Sequence, residues 1–396
     1  GDVYKRQEET LANDGGSWVG EFIGLLRSGP AWEMNVTAWL YGTRDYEGWS
    51  YVVNYAGPMS ATVVEGLISR EPLPSTVTLG TTRASEALPQ AEATEHPVVG
   101  EPVTDVSQAP PAGAVGEPAD DGAAIVDVEW LGERTVDLTI DSPAVGTRQA
   151  RLLLPAGFEA GADAAWPVLY LLHGMMGDHA DWTLLTDAAD LVADLGLLVV
   201  LPDGGADSWY SDPWNGGRGG PPMWETFHLT ELRQLLERNW QAGGDRAVAG
   251  VSMGGLGAMS YAGRHPDLFR AAASFSGHLD PLGTEFDPGE RVWGDKVAEV
   301  DSWEAHDPSS LAPAFEGMTL YVSYGSGEVG PLDDADAAPD ATEARIAEMN
   351  EAFVARLDEL DIPVTVDAYG PGTHDWPYFE QGLHAAMPLL LAALQD

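Results

Sequence analysis

The stretch RAVAGVSMGGLGAMSY, residues 246–261, decides the fold of this chain. Arg246 to Val251 is a short apolar run of the kind that forms a buried strand, and Gly254 to Tyr261 is a small-residue helical segment. Between them lies Gly250-Val251-Ser252-Met253-Gly254. The bare Gly-x-Ser-x-Gly pattern is weak in a chain with 46 glycines. A strand directly before it and a helix directly after it make it a strand–turn–helix elbow. Such a turn holds its central residue in a strained backbone conformation, and flanking glycines leave room for the reversal. The Ser252 hydroxyl is therefore expected at the carboxyl end of a sheet, as a nucleophile.

Outward from the elbow, strand and helix patterns alternate. Val136 to Ile140 and Gln149 to Leu154 fit an opening antiparallel section, and Val168 to Leu172 and Leu197 to Leu201 fit buried strands. Ala271 to Phe275, Thr319 to Ser323 and Val364 to Tyr369 are further strands. Helical patterns cover Trp182 to Leu195, Trp224 to Trp240, Ala341 to Leu360 and Trp376 to Leu394. This alternation predicts an α/β fold, a mostly parallel sheet with helices on both faces.

A serine hydroxyl needs a base to take its proton, and in an elbow fold the expected chain order is Ser, acid, His. His374, in the loop Gly370-Pro-Gly-Thr-His-Asp-Trp after the last strand, fits the base. The acid is expected in the Gly-rich loop after Thr319 to Ser323. Glu328 is the first acid there and the preferred candidate; Asp333 and Asp334 are alternatives, ahead of Asp367 and Asp375. The base must be neutral, so activity is expected to fall at acid pH. An oxyanion hole needs two backbone N–H groups. Met253, directly after the nucleophile, and Met175, in the loop His173-Gly174-Met175-Met176-Gly177, are the candidates.

Candidate substrate-binding residues are Gly174, Trp182, Trp214 and Trp376, which fall near loops at the predicted active face; aromatics of this kind also serve as core. Asp333, Asp334, Asp336 and Asp340 lack the spacing of a calcium loop and read as a solvated loop. The chemistry calls for no metal and no cofactor.

The chain has 396 residues, with 63 acidic against 19 basic side chains and a net charge of −44. Only Lys5 and Lys296 are lysines. Such a charge repels nucleic acid and anionic membrane surfaces, so neither is expected as a partner. Residues 125–396 alone carry 45 acids and 13 bases. An acidic folded surface almost free of lysine fits a protein adapted to salt, where screening relieves self-repulsion. Cysteine is absent, which excludes disulfides and a thiol nucleophile. No apolar run is long enough to span a membrane.

Three segments are expected. Residues 1–80 form a small β-rich module, with strands at Trp39 to Tyr41, Trp49 to Val53 and Thr76 to Leu79. Residues 81–124, rich in Pro, Ala and Glu, form a linker, and residues 125–396 the catalytic domain. The opening GDVYKRQ resembles adapter-derived sequence, so the natural start is expected to be missing.

Residues 125–396 resemble the family known as Putative esterase, which groups esterase D enzymes, feruloyl-type esterases and antigen 85 mycolyltransferases. The resemblance is carried by Val168-Leu-Tyr-Leu-Leu-His-Gly, Ser208-Trp-Tyr-Ser-Asp-Pro-Trp, Trp224-Glu-Thr-Phe, Gly250-Val-Ser-Met-Gly-Gly, Ser276-Gly-His-Leu-Asp-Pro and Gly372-Thr-His-Asp-Trp. It implies an α/β-hydrolase fold and a Ser, Glu and His set, in line with Glu328 and His374. It also implies secretion or a cell-envelope location. In the mycolyltransferases an Asp and an Arg of the loop after the early strand help bind trehalose; here His173 and Met176 stand at those positions. The expected activity is hydrolysis of a small-molecule or polymeric ester through an acyl-enzyme. The alternatives are acyl transfer to a sugar hydroxyl and a non-catalytic binding protein.

Overall fold

A computed structural model describes residues 115–159, 165–218, 222–284 and 288–395, together with four strands nearer the N-terminus. The chain divides into two compact units, Gly1–His96 and Pro97–Asp396. In the first, β1 (Val3–Asn13), β2 (Gly16–Leu26), β3 (Glu33–Gly42) and β4 (Trp49–Ala56) pair in sequence order as an antiparallel sheet. The expected strands at Trp39 to Tyr41 and Trp49 to Val53 fall in β3 and β4. Thr76 to Leu79 and residues 81–114 of the expected linker lie outside the described residues.

Among the described residues, the second unit holds nine strands: β5 (Ala124–Trp130), β6 (Thr135–Asp141), β7 (Arg148–Leu153), β8 (Trp166–Leu172), β9 (Leu198–Pro202), β10 (Ala242–Val251), β11 (Ala271–Phe275), β12 (Thr319–Gly325) and β13 (Thr365–Gly370). They form one sheet in the order β13-β12-β11-β10-β8-β9-β7-β6-β5. β5, β6 and β7 make an antiparallel edge, and the six strands from β9 to β13 across the sheet run parallel. The helices are α1 (Asp181–Leu185), α2 (Ala188–Leu191), α3 (Trp224–Thr226, continuing through a π-helical turn Phe227–Leu232 into Arg233–Asn239), α4 (Met253–Arg264), α5 (Pro288–Trp293), α6 (Val300–Glu304), α7 (Pro308–Leu311), α8 (Ala341–Glu359) and α9 (Trp376–Gln395).

The strand period places side chains on alternate faces, and both faces are covered. Val168, Tyr170 and Leu172 of β8 join Leu256 of α4, Leu232 of α3 and Phe353 of α8 on one side. Leu169 and Leu171 join Trp182 of α1, Ala188 of α2 and Leu383, Met387 and Leu390 of α9 on the other. Alanines at 247, 249, 271, 272 and 273 line the middle of the sheet and let α4 and α9 approach it. Strand order, the antiparallel edge and the two-sided helical cover are those of an α/β-hydrolase.

Two boundaries differ from the sequence expectation. The helix expected over Trp182 to Leu195 is broken at Thr186, which is extended at φ −140° and ψ 175°. Its hydroxyl donates to the Trp182 carbonyl and accepts from the Ala188 N–H, ending one helix and starting the next. Residues 115–123, the tail of the expected linker, are part of the folded unit. Ala119 and Ala123 are buried, Val115 N–H donates to the Ile125 carbonyl at 2.7 Å, and Glu117 N–H to Asn239 Oδ1 at 2.7 Å.

Candidate active site

The parallel strands deliver the polar residues to one edge. Register pairs Val251 with Phe275, Phe275 with Ser323 and Gly325 with Gly370. Ser252, Ser276 and the loop holding His374 therefore leave the carboxyl ends of β10, β11 and β13, around the end of β12. Ser252 sits at φ 56° and ψ −117°, a conformation that residues other than glycine rarely adopt, and directly precedes α4 without a side-chain capping bond to it. Its N–H donates to the Phe275 carbonyl at 2.9 Å. The turn tolerates only glycine on either side. A Cβ on Gly250 would lie 2.3 Å from the Gly254 carbonyl oxygen, and one on Gly254 would lie 2.5 Å from that of His173.

His374 is held from three directions. Its N–H donates to Asp340 Oδ2 at 3.1 Å, its ring packs edge-on against Phe379 at 5.0 Å, and its Nδ1 meets Glu343 Oε2 at 2.6 Å. Glu343 lies in the first turn of α8 and is fully buried. Its other oxygen, Oε1, accepts from Ser276 Oγ at 2.8 Å and from Gly325 N–H at 2.7 Å. The carboxyl is thus tied to the ends of β11 and β12 and to His374.

The acid beside His374 is therefore Glu343, in place of the expected Glu328. Glu328 is exposed, and its N–H donates to Ser326 Oγ at 3.2 Å. The Gly-rich loop carries it outward: Ser326 N–H and Gly327 N–H bond the carbonyls of Gly370 and Gly372, and Asp340 N–H returns to the Gly327 carbonyl at 2.7 Å. Asp340 caps α8 by accepting from Thr342 N–H and Glu343 N–H. Burial pushes its carboxyl pKa up, but the N–H groups of His374, Glu343 and Thr342 outweigh this and hold it below the usual carboxylate range. Asp333 supports the His374 loop from below, accepting from Thr373 Oγ1 and from Tyr378 OH. Asp334 is exposed.

The loop after β8 is fixed by a buried imidazole. Gly204 N–H donates to His173 Nε2 at 2.8 Å, so the ring proton sits on Nδ1, which donates to the Gly174 carbonyl at 2.7 Å. Burial lowers the pKa of His173 and keeps it neutral. Tyr210 OH donates to the His173 carbonyl at 2.9 Å, and Met176 N–H to Ala206 at 2.7 Å. Met176 sits at φ 64°. These bonds leave Met175 N–H and Met253 N–H unengaged among the described residues. Gly174 lies against Ser252: a Cβ there would be 3.5 Å from that of Ser252.

The expected aromatic lining divides. Trp182 is 1% exposed, donates Nε1–H to the Leu172 carbonyl at 3.0 Å and packs on Phe275, so it is core and not substrate lining. Trp376 is half-buried and packs edge-on to Trp182 at 5.2 Å. Trp214 is 48% exposed and Met175 42%. Away from the site, Asp187, Glu380 and His384 bring potential ligand atoms within 4.8 Å of one another. These groups are already paired, His384 Nε2 with Asp187 Oδ1 and Asp187 N–H with Glu380 Oε1, each at 2.7 Å. Among the described residues, no helix is long and apolar enough to cross a membrane.

The chain is similar to several known proteins. The chain is 32% identical over 261 residues, 60% of its length and 78% of the relative's, to a Mycobacterium intracellulare protein named diacylglycerol acyltransferase/mycolyltransferase Ag85B. It is 37% identical over 161 residues, 39% of its length and 35% of the relative's, to esterase Rv1288 of Mycobacterium tuberculosis. An S-formylglutathione hydrolase structure from Agrobacterium tumefaciens has a TM-score of 0.56 at 18% identity, covering 68% of this chain and 99% of that one. Mycobacterium tuberculosis MPT51 has a TM-score of 0.53 at 23% identity, covering 68% and 99%. These two structures share the fold. Residues 144–390, which contain the elbow, Glu343 and His374, match the family described as Putative esterase, and the chain belongs to that family of ester-cleaving enzymes.

Proposed function

We propose that the chain is a serine carboxylic-ester hydrolase with Ser252 as nucleophile, His374 as base and Glu343 as the acid that orients it. The carrying observation is the 2.6 Å contact of Glu343 Oε2 with His374 Nδ1 at the same sheet edge as the elbow that carries Ser252. With a carboxylate at Nδ1, the ring proton sits there and Nε2 is left to take the Ser252 proton. Ser252 Oγ bonds the ester carbonyl carbon, and its proton passes to Nε2. Met175 N–H and Met253 N–H hold the oxyanion, each worth about 3 kcal/mol in the transition state. Collapse breaks the bond to the alcohol oxygen, which takes the proton from His374. Water, deprotonated by His374, then attacks the acyl-enzyme, releasing the acid and restoring Ser252.

The similarity to a named mycolyltransferase supports a second reading, in which a sugar hydroxyl replaces water. The loop after β8 argues for water. His173, at a position used for sugar in the mycolyltransferases, is 1% exposed and occupied in holding its own loop. The test is hydrolysis of p-nitrophenyl butyrate by the protein and by Ser252→Ala, with and without trehalose. Turnover that depends on Ser252 and yields free butyrate supports the hydrolase. Butyryl-trehalose as the main product supports the transferase, and no turnover from folded protein sinks both.

A further inference from the structure

Glu343 and His374 lie 31 residues apart in the chain, and one carboxylate joins their main chains. Asp340 directly precedes α8 in an extended conformation, φ −105° and ψ 107°. Its Oδ1 accepts from Thr342 N–H at 2.8 Å and from Glu343 N–H at 3.2 Å, and its Oδ2 accepts from His374 N–H at 3.1 Å. The Glu343 and His374 side chains meet at 2.6 Å. A ring of hydrogen bonds therefore closes, from the Asp340 carboxylate to Glu343 N–H, from the Glu343 carboxylate to His374 Nδ1, and from His374 N–H back to Asp340. Asp340 is itself fixed. Its N–H donates to the Gly327 carbonyl at 2.7 Å, and Gly327 N–H donates to the Gly372 carbonyl at 3.0 Å. Gly327 sits at φ 76°, and a Cβ there would fall 2.3 Å from the Asp340 carbonyl oxygen, so the loop after β12 lies directly on the start of α8.

The side-chain contact between Glu343 and His374 leaves the two groups free to swing together. The loop before His374, Gly370-Pro371-Gly372-Thr373, has glycine on either side of its proline, and its own backbone restrains it weakly. A bond to the His374 main chain removes that freedom. Capping α8 needs one acceptor oxygen, which Ser, Thr or Asn would supply as well. The second oxygen of Asp340 is surplus to the helix, and His374 N–H takes it. Burial raises the pKa of this carboxyl, but the three N–H groups lower it further, so it is ionised around pH 7 and both oxygens accept. We infer that Asp340 is a positioning residue for the base and its acid: Oδ1 fixes the helix start that carries Glu343, Oδ2 fixes the main chain of His374, and together they keep the imidazole directed at Ser252. This rests on the assignment of Ser252, His374 and Glu343 as nucleophile, base and acid.

The test compares Asp340→Ser and Asp340→Asn, which keep an oxygen to cap α8 but lose the second acceptor, with Asp340→Ala, which loses both. Steady-state kinetics on p-nitrophenyl butyrate, thermal melts and the downfield proton NMR signal of His374 Nδ1–H are recorded for each and for the wild type. The cap governs stability, so the Ser and Asn variants should melt close to wild type and the Ala variant lower. The His374 bond governs alignment, so all three should lose about tenfold or more in kcat while KM moves by less than about threefold. The Nδ1 proton should broaden in all three, because a loosened pair lets it exchange with water. Ser and Asn variants with kcat within about threefold of wild type reduce Asp340 to a helix cap and overturn the inference, as does a loss carried by KM. Should Ser and Asn melt as low as Ala, the proton decides, read at a temperature where circular dichroism shows the fold intact: a broadened signal upholds the role and an undiminished one overturns it. A wild type without turnover removes the hydrolase reading and this inference together. A dead Ser252→Ala beside a fully active Asp340→Ser removes this inference alone.

Discussion

Replacing Glu343 by Gln exchanges one oxygen for an NH₂ and should cost the enzyme nearly all of its rate. Oε1 of Glu343 faces the N–H of Gly325 at 2.7 Å, a group that can only donate. A Gln must therefore place its carbonyl oxygen there, because the reverse orientation sets an NH₂ against an N–H. Its NH₂ is then directed at His374 Nδ1, which Glu343 Oε2 meets at 2.6 Å. Nδ1 is forced to accept, the ring proton moves to Nε2, and the base faces Ser252 in the wrong tautomer. A triad acid replaced by its amide loses about 10⁴-fold in kcat, or about 5 kcal/mol of transition-state stabilisation. The carboxylate charge that stabilises the imidazolium is lost as well. The assay is kcat on p-nitrophenyl butyrate for wild type, Glu343→Gln and Glu328→Gln, with circular dichroism to confirm the fold. Glu328 is exposed, and its variant should stay within about twofold of wild type. A Glu343→Gln enzyme within about tenfold of wild type, or a Glu328→Gln enzyme as damaged as expected for Glu343, refutes this reasoning.

Gly254→Ala should destabilise the folded unit by about 3 kcal/mol in denaturant titration, because its Cβ falls 2.5 to 2.8 Å from the backbone of His173 and Leu172, which cannot rotate away. A stability equal to wild type would contradict the packing at the elbow. Burial lifts the carboxyl of Glu231, bonded to Ser142 Oγ and Ala144 N–H, to about 8. The folded state thus keeps a proton that the unfolded state loses above about pH 4.3, and stability from this group falls as pH rises from there to about 8. Glu231→Gln should therefore lose less melting temperature than wild type between about pH 5 and pH 8, and an equal loss would count against the protonated, buried acid. With a net charge of −44, the melting temperature should rise from about 0.1 M to about 1 M NaCl as the screening length falls from about 10 to about 3 Å; a fall would show that self-repulsion is not what limits stability.

The fold was legible because the central strands of the sheet are apolar runs bounded by Gly, Pro or a charge, while the edge strand β13, exposed and carrying Asp367, stands between a helix and a Gly-rich loop. Ala271–Phe275 matches its expected span, and β8, β9 and β13 differ from theirs by one or two residues at an end. β5 was hidden because Ala124–Trp130 directly follows a Pro- and Ala-rich stretch whose composition suggests a linker. The elbow and the His374 loop were legible because each is a local motif between a strand and a helix.

The acid was not legible, because its role is set by a long-range fold-back. The loop from Ser326 to Asp340 returns on itself before α8 begins, so the acid that meets His374 is not the first one after β12. Glu343 had a sufficient local explanation, since Asp340-Ala341-Thr342-Glu343 is a helix-capping pattern in which Glu bonds back to the capping residue. In the structure Asp340 N–H bonds Gly327 instead, and the Glu343 side chain turns inward. An acid on the buried face of an amphipathic helix, beside Ile346 and Asn350, was the available signal. Trp182 was misassigned because a Trp near an active edge reads the same whether it lines a pocket or fills the core; its indole N–H, satisfied by the Leu172 carbonyl, settles its place in the core.

The central claim is that Ser252 is the nucleophile. The most direct measurement is covalent labelling with a fluorophosphonate, followed by intact-mass analysis and peptide mapping. One adduct per chain, located on Ser252 and absent from folded Ser252→Ala, is the predicted result. An unlabelled wild type, or an adduct that persists in the variant, would contradict the account.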